Sequence, residues 1–411
     1  MRSPLPLLLV LWFGVIRIYS QQITIYNTLN SGLPDNTVRA IATGADGSIW
    51  AGTDWGVGRL KNNAWTTYNS ANSGLPDNSI RCIAVDRQGK AWIGTFLGGL
   101  AVLENDTVQA IYNTGNSPLP DNHVRSIAFD SAGVWIGTTG GLACQRDSVW
   151  QIFDINNSVL RSNNIASLLV DNLNRLWAGT VNGGLVRIED TAWTLFRNSN
   201  SGLPDNTALD LASDSGNNIW IASPAAGITA FDGSTWLNLN IGNSNSPTNS
   251  YYGIIVVNGS KYMASFQDGL VIYRGGTVWE QYDTGNSQMP QNVLLCIEAG
   301  DSGCVWLGTA SAGLVRFCRV DTPVVVPGLN ADSFTIFPVP TAAMLMIRFA
   351  YPREIIAVRV FDYSGRIIFS NGASIFHSLE IPFGGYSSGI YFLELVLHEG
   401  RKVMKFVKTG G

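Results

Sequence analysis

Histidine is nearly absent: there are three in 411 residues, and only His123 lies between residues 21 and 330. A zinc site or an imidazole base assembled from that region would need more. Charge is sparse as well, at 14% of residues, while 45% are hydrophobic. That balance excludes a disordered chain and supports packed cores. The net charge of −4 is unevenly spread: residues 21–330 carry 16 basic and 24 acidic side chains, residues 331–411 carry 8 and 6. An acidic main region excludes nucleic acid as a partner, because phosphates need a basic face. The five cysteines are odd in number and form no Cys-x-x-Cys pair. Cys82 and Cys296 share a repeat position with Ala40, Ser126, Ser167, Asp210 and Gly253, so they read as packing thiols. Cys304 and Cys318 are left as a pair that an exported protein could oxidise. No Gly-x-Ser-x-Gly, phosphate loop or EF-hand spacing occurs. No catalytic residue, metal or cofactor is therefore expected. Past residue 20 no apolar run is long enough to span a bilayer, so no transmembrane segment is expected in the mature chain.

What the chain has in abundance is repetition. Ser-Gly-Leu-Pro-Asp-Asn occurs at 31–36, 73–78 and 201–206, with one change at 117–122 and looser copies at 158–163, 244–249 and 287–292. A second marker, Trp-x-Gly-Thr or a close variant, starts at Trp50, Trp92, Trp135, Trp177, Trp220, Tyr262 and Trp306, at spacings of 42, 43, 42, 43, 42 and 44 residues. Units of this length, with 44 glycines in the chain to make turns, predict propeller blades. The first unit reads as four strands at 38–43, 48–53, 58–61 and 65–69. The seventh lacks a fourth strand, and residues 23–27 match that pattern. The expectation is an all-β chain: a seven-bladed β-propeller over 21–322, its N-terminal strand closing the last blade. A signal peptide over 1–20 precedes it, with Arg2 before an apolar core. A proline-broken linker follows at 323–333, then a small Ig-like β-sandwich over 334–411.

Eleven of the 13 tryptophans recur at fixed repeat positions and read as packing between blades. Trp12 falls in the leader. Trp55 alone is unrepeated, in the turn after the second strand. It fits stacking on a sugar or gripping a partner, and equally a local lid over a blade edge. Propeller geometry puts these turns and the Ser-Gly-Leu-Pro-Asp-Asn crossovers on one face. That face collects Asp54, Trp55, Phe96, Asn182, Phe266, Gln267 and Asp268 as candidate ligand-binding residues, a set suited to a hydroxyl-rich ligand. At the entry of the first strand, blades 1–3 carry Arg39, Arg81 and Arg125, whereas blade 6 carries Tyr252. Three neighbouring arginines could receive a carboxylate or sulfate. Each also follows an aspartate by four residues, namely Asp35, Asp77 and Asp121, and salt bridges bracing the crossovers are the favoured reading. Asp86, Asp130, Asp171 and Asp214 share a hairpin position and read as turn caps.

These motifs carry two resemblances. The Asn-Ser-Gly-Leu-Pro-Asp-Asn … Trp-Ala-Gly-Thr pattern resembles the two-component-regulator propeller repeat, whose members form periplasmic sensor halves of hybrid histidine kinases in Bacteroidetes. The resemblance implies the propeller and, more distantly, ligand binding; a membrane span and kinase are not seen here. The last 78 residues resemble the C-terminal sorting domain of type IX secretion. The matching pieces include residues 334–340, 360–366, 389–393 and 402–408, although the usual Pro-Asn-Pro is Pro338-Val-Pro340. Pro338, Pro340, Asp362, Gly365, Gly389, Tyr391, Lys402, Lys405 and Lys408 are the sorting-signal residues so implied. The three lysines fit a solvated strand edge as well. The type IX secretion machinery is the partner implied, and the cell surface or extracellular space the address. The function expected is a non-catalytic binding module for a glycan or an extracellular protein. The alternatives are a propeller polysaccharide lyase or hydrolase, marked by a buried carboxylate pair in the channel, and a structural or adhesion protein.

Overall fold

The computed structural model describes residues 20–320, 334–337, 344–372, 374–383, 385–397 and 400–408. They fall into two compact units, of which the larger is Ser20–Val320. The expected linker and, apart from Ser20, the expected signal peptide lie outside the described residues.

The larger unit is a seven-bladed propeller of four-stranded antiparallel sheets. Blade 1 consists of Val38–Thr43, Ile49–Thr53, Gly56–Lys61 and Ala64–Tyr68, close to the expected runs. Blades 2 to 6 repeat this order, and the innermost strands pack side by side around a closed ring. In blade 7 the fourth strand is Ser20–Tyr26, paired antiparallel with Leu314–Val320 from Ser20↔Val320 to Tyr26↔Leu314. It starts three residues before the expected run. Its Ile23 and Ile25 join the cluster around Leu307, Val315 and Phe317, and Tyr26 lies 5.7 Å from the Trp65 ring and 5.8 Å from that of Trp306. Closure thus pairs an edge that would otherwise face water and buries its apolar face. A disulfide joins Cys304 to Cys318 across the second and third strands of the same blade.

The repeated motifs are scaffold, and each residue has a visible reason. The closing Asn of every crossover accepts a backbone N–H eight residues earlier, as Asn36 Oδ1 does from Thr28 N (2.9 Å), and this bond recurs seven times. In Trp-x-Gly-Thr the tryptophan is buried, or half-buried at Trp92. Its indole N–H donates to the hairpin aspartate at Asp86, Asp130, Asp171 and Asp214, so those carboxylates anchor a neighbouring ring as well as cap a turn. A Cβ on Gly52 would lie 2.6 Å from Ile80 of the next blade, and Thr53 Oγ1 donates to Gly56 O (2.8 Å) to close the turn. Cys82 and Cys296 pack as expected, each with its thiol toward a backbone carbonyl of the adjoining blade.

The C-terminal unit has two sheets. One holds Phe334–Phe337, Met344–Ile355 and Ser374–Pro382; the other holds Ile367–Asn371, Ala357–Asp362, Gly389–Leu397 and Gly400–Lys408. Leu345, Ile347, Val358, Val360, Phe383, Leu393 and Phe406 fill its core. The arrangement is consistent with the small Ig-like sandwich expected.

Candidate functional site

Backbone bonds bring the turns and crossovers of one face together. In four blades the turn after the second strand is tied to the segment entering the first strand: Phe96 N donates to Ser79 O (2.8 Å), Thr139 N to His123 O (3.2 Å), Val181 N to Asn164 O (3.0 Å) and Ala310 N to Val293 O (3.2 Å). Over blades 1 to 3 this face carries a row of polar and aromatic contacts from Arg39 to His123, with a separate bond at Arg125. Arg39 grips Asp54 with a fork, Nε to Oδ1 at 2.8 Å and Nη2 to Oδ2 at 2.9 Å. From blade 2, Arg81 Nη1 donates to the same Oδ1 (2.9 Å), and Ser79 Oγ does so at 3.2 Å. The Arg81 guanidinium lies 4.7 Å from the centre of the Phe96 ring, which meets His123 edge-on at 4.7 Å. Arg125 Nη1 donates to the side-chain oxygen of Asn164 in the next crossover (2.5 Å).

The electrostatics follow from this row. Burial pushes the Asp54 carboxyl up, but the bonds from Arg39 and Arg81 outweigh it and hold the group at about 2. The bond to Asp54 raises Arg39 in turn. Arg125 is pushed down by burial and by the field of Arg81. His123 is pushed down by burial, then by Arg125 and Arg81. Removing the shared carboxylate should therefore be felt. Asp54→Ala leaves two part-exposed arginines without their acid, and a loss of about 1–2 kcal/mol is expected, below that of a fully buried pair. Urea unfolding measures it; an unchanged midpoint would show that solvent already screens the pair.

The expected braces between Asp35, Asp77, Asp121 and their arginines do not form. Asp35 accepts Thr37 N (2.8 Å), Asp77 accepts Ser79 N (3.0 Å) and Leu97 N (2.8 Å), and Asp121 accepts His123 N (2.7 Å). The amide two residues on captures each carboxylate before the strand carries the arginine away. Asp205, which has no arginine after it, does the same with Thr207 N (3.2 Å), so the aspartate's bond at this position does not depend on an arginine.

The other candidates are placed as follows. Trp55 is 67% exposed, and its ring stacks on no other among the described residues. Phe96 and Phe266 are 38% and 39% exposed. Phe266 stacks on Tyr252 at 5.1 Å in blade 6, where Gln267 and Asp268 complete the turn. Asn182 is exposed in blade 4, exchanging bonds only with Thr207. The structure thus gathers Arg39, Asp54, Arg81, Phe96 and Arg125, with Trp55 next in chain to Asp54, but no contact links them to the blade 6 group or Asn182.

Two carboxyls on the innermost strands were not picked out in the sequence. Asp210 and Glu298 lie on Asp210–Ser213 and Leu294–Ala299. Burial raises Asp210 to about 7 against the pull of the Ile254 and Leu211 amides. Burial and the field of Asp210 raise Glu298 to about 7. The signal was readable: the positions equivalent to Glu298 hold Ala42, Ala84, Ala128, Leu169, Ala212 and Ile255.

In the C-terminal unit, Asp362 accepts Ser364 N and Arg366 N in a turn that Gly365 completes. Tyr391 is buried, with its hydroxyl donating to Ser387 O (2.7 Å), and Gly389 pairs with Lys408. Lys402, Lys405 and Lys408 share the edge strand Gly400–Lys408. A common solvated edge does not result: Lys405 is exposed, whereas Lys408 is buried, because residues three apart on a strand face opposite ways. Pro338 and Pro340 lie outside the described residues.

Fold and face together define a closed propeller with a charged, aromatic loop surface, joined in one chain to a β-sandwich. Residues 32–55, 74–96 and 118–140 match the two component regulator propeller, and residues 335–409 match the secretion system C-terminal sorting domain. The chain thus carries two-component-regulator propeller repeats and a sorting domain that marks it for export by type IX secretion to the cell surface. No curated protein matches it. Among solved structures it is similar to the extracellular domain of the hybrid two component system BT3049 from B. thetaiotaomicron, at a TM-score of 0.62 and 20% identity over 94% of this chain and 57% of that one. It is also similar to PorZ of Porphyromonas gingivalis, a surface component of the type-IX secretion system (0.60, 16%, over 93% and 61%). A streptogramin B lyase is similar at 0.61 and 15% over 73% of this chain and 98% of the lyase. At these identities the likeness shows the fold, and the chain spans about three-fifths of the first two. Among the described residues no helix is long and apolar enough to cross a membrane.

Proposed function

We propose that the propeller is a binding module that takes a glycan or an extracellular protein on its crossover-loop face. The observation that carries this reading is Trp55: a large ring, 67% exposed and unpaired with another, beside a row of arginines on a face built from rigid turns. A large flat aromatic with only two side-chain torsions to fix loses little entropy on binding and suits stacking on a sugar ring. A lid or a purely structural face would have the indole packed down. The test is a glycan-array and polysaccharide pull-down on the whole chain beside Trp55→Ala. Binding of a defined sugar should weaken at least about tenfold in the variant with the melting temperature unchanged; equal retention by both proteins would remove Trp55 from the site.

A second reading rests on Asp210 and Glu298. A carboxyl that holds its proton near neutrality is what a propeller hydrolase or lyase would need as general acid, and once one of two such groups ionises the other can act beside it as base. Soluble oligosaccharide products released over hours, and lost in Asp210→Asn, would promote this reading over simple binding.

A further inference from the structure

Of three guanidinium groups in blades 1 to 3, two share one carboxylate and the third bonds none. Arg39 has its fork filled by Asp54. Arg81 has a single bond to that carboxylate, plus one to its own strand's Ile80 O (3.3 Å). Arg125 has only a neutral amide oxygen, although it is partly buried. The nearest aspartates are engaged elsewhere, Asp77 with two backbone amides and Asp121 with one. His123, edge-on to Phe96, is pushed toward its neutral form by burial and by the fields of Arg125 and Arg81, and in neither form does it offer a negative charge. Arg81 is paired with Asp54, whereas Arg125 is partly desolvated, lies in the field of Arg81 and has only an amide as partner, so an anion arriving from outside would be stabilised beside it. The rest of the propeller is acidic, so the excess of positive charge here is local.

We propose that Arg81, stacked on Phe96, and Arg125 form a subsite for the carboxylate or sulfate group of an acidic saccharide. This deepens the binding reading above and rests on it. A planar carboxylate would take a fork from Arg125, and a tetrahedral sulfate would be shared between the two guanidiniums. Phe96 already carries Arg81 on its face, which orients that group before any ligand arrives. Trp55, next in chain to Asp54, offers the aromatic surface for the neighbouring sugar ring.

The experiment is a titration of the whole chain with three probes of similar length: oligogalacturonate, dextran sulfate and uncharged dextran. Acidic probes should bind at least about tenfold more tightly than dextran, and rising salt should erase the difference as the charges are screened. Which acidic probe is preferred separates carboxylate from sulfate. Arg125→Gln should abolish the preference while leaving any dextran binding as it was; Arg125→Lys, which keeps the charge but not the fork, should spare sulfate more than carboxylate. If Arg125→Gln does not fold, the wild-type preference and its salt dependence decide alone. Equal affinity for charged and uncharged probes overturns the subsite while leaving the binding face in place. No binding of any probe counts against both.

Discussion

Gly313→Ala is expected to lower the stability of the propeller by about 3 kcal/mol, and to do so by loosening the N-terminal strand. Gly313 has a φ of +96°, and a Cβ there would stand 2.1 Å from Tyr26 O, the last residue of that strand. Left-handed backbone costs a non-glycine residue about 1–2 kcal/mol, and the clash adds to it. Neither atom can move freely: Gly313 N donates to Asn36 O (2.9 Å), and Thr309 Oγ1 to Gly313 O (2.8 Å). The same glycine occurs elsewhere, as at Gly56 against Tyr68 O. In blade 1, however, the outer strand is tied to the third by a hairpin. In blade 7 it comes from the far end of the sequence and is held by pairing and packing alone. Gly313→Ala should therefore expose residues 20–26 to hydrogen exchange and proteolysis, and Gly56→Ala should not have a matching effect on residues 64–68. Equal loss of stability and equal protection in the two variants would mean that the closing strand is no weaker than the others.

Between pH 5 and pH 8 the propeller should lose about 2–3 kcal/mol of stability, because Asp210 and Glu298 each keep a proton to about 7 when folded. Unfolded, such groups ionise near pH 4. Over the window from about 4 to 7 the folded state binds more protons, so stability falls as pH rises and levels off above 7. Full separation of the two values is worth about 1.4 kcal/mol per pH unit and group; the smaller figure allows for their partial access to solvent and mutual coupling. His123 opposes the trend, since its lowered value makes the unfolded state protonate first, but it is one group against two. Asp54, held at about 2, contributes stability that is lost only in more acidic solution and stays outside the window. Urea unfolding at the two pH values tests this. Asp210→Asn should flatten the slope and be the more stable protein at pH 8. A wild-type slope of zero, or one that rises, would mean that both carboxyls are ionised in the fold.

The architecture was legible because motif residues do the same job in blade after blade, the crossover Asn in all seven and the Trp-x-Gly-Thr glycine in five. Asn36 and its six counterparts accept the same backbone bond, and the glycine of Trp-x-Gly-Thr clears the same approach between blades. Even ring closure could be read, since the strand ending at Tyr26 carries the pattern of the one ending at Tyr68. The candidate site was legible only in its membership. Arg39 and Arg81 find Asp54 at separations of 15 and 27 residues, and Arg125 finds Asn164 at 39, distances set by which turn crosses to which neighbour. The four-residue spacing to Asp35, Asp77 and Asp121 pointed to the wrong partners, because local amides outcompete a side chain that must reach back along an extended strand. Asp210 and Glu298 went unselected because a single acid, among small counterparts in one case and apolar ones in the other, has no repetition to draw attention to it.

The disposition of the first and last propeller strands has a mechanical consequence. Ser20 pairs directly with Val320, so tension applied through the chain at these two points would pull along the hydrogen bonds of a single pair. Such a load opens an antiparallel ladder one rung at a time, as a zipper opens, whereas a pull along the strands would strain all seven pairs at once. The ring is therefore weakest against traction exerted on its own two ends. The Cys304–Cys318 link lies one strand further in, where it leaves the closing seam free to part while holding the rest of blade 7 together.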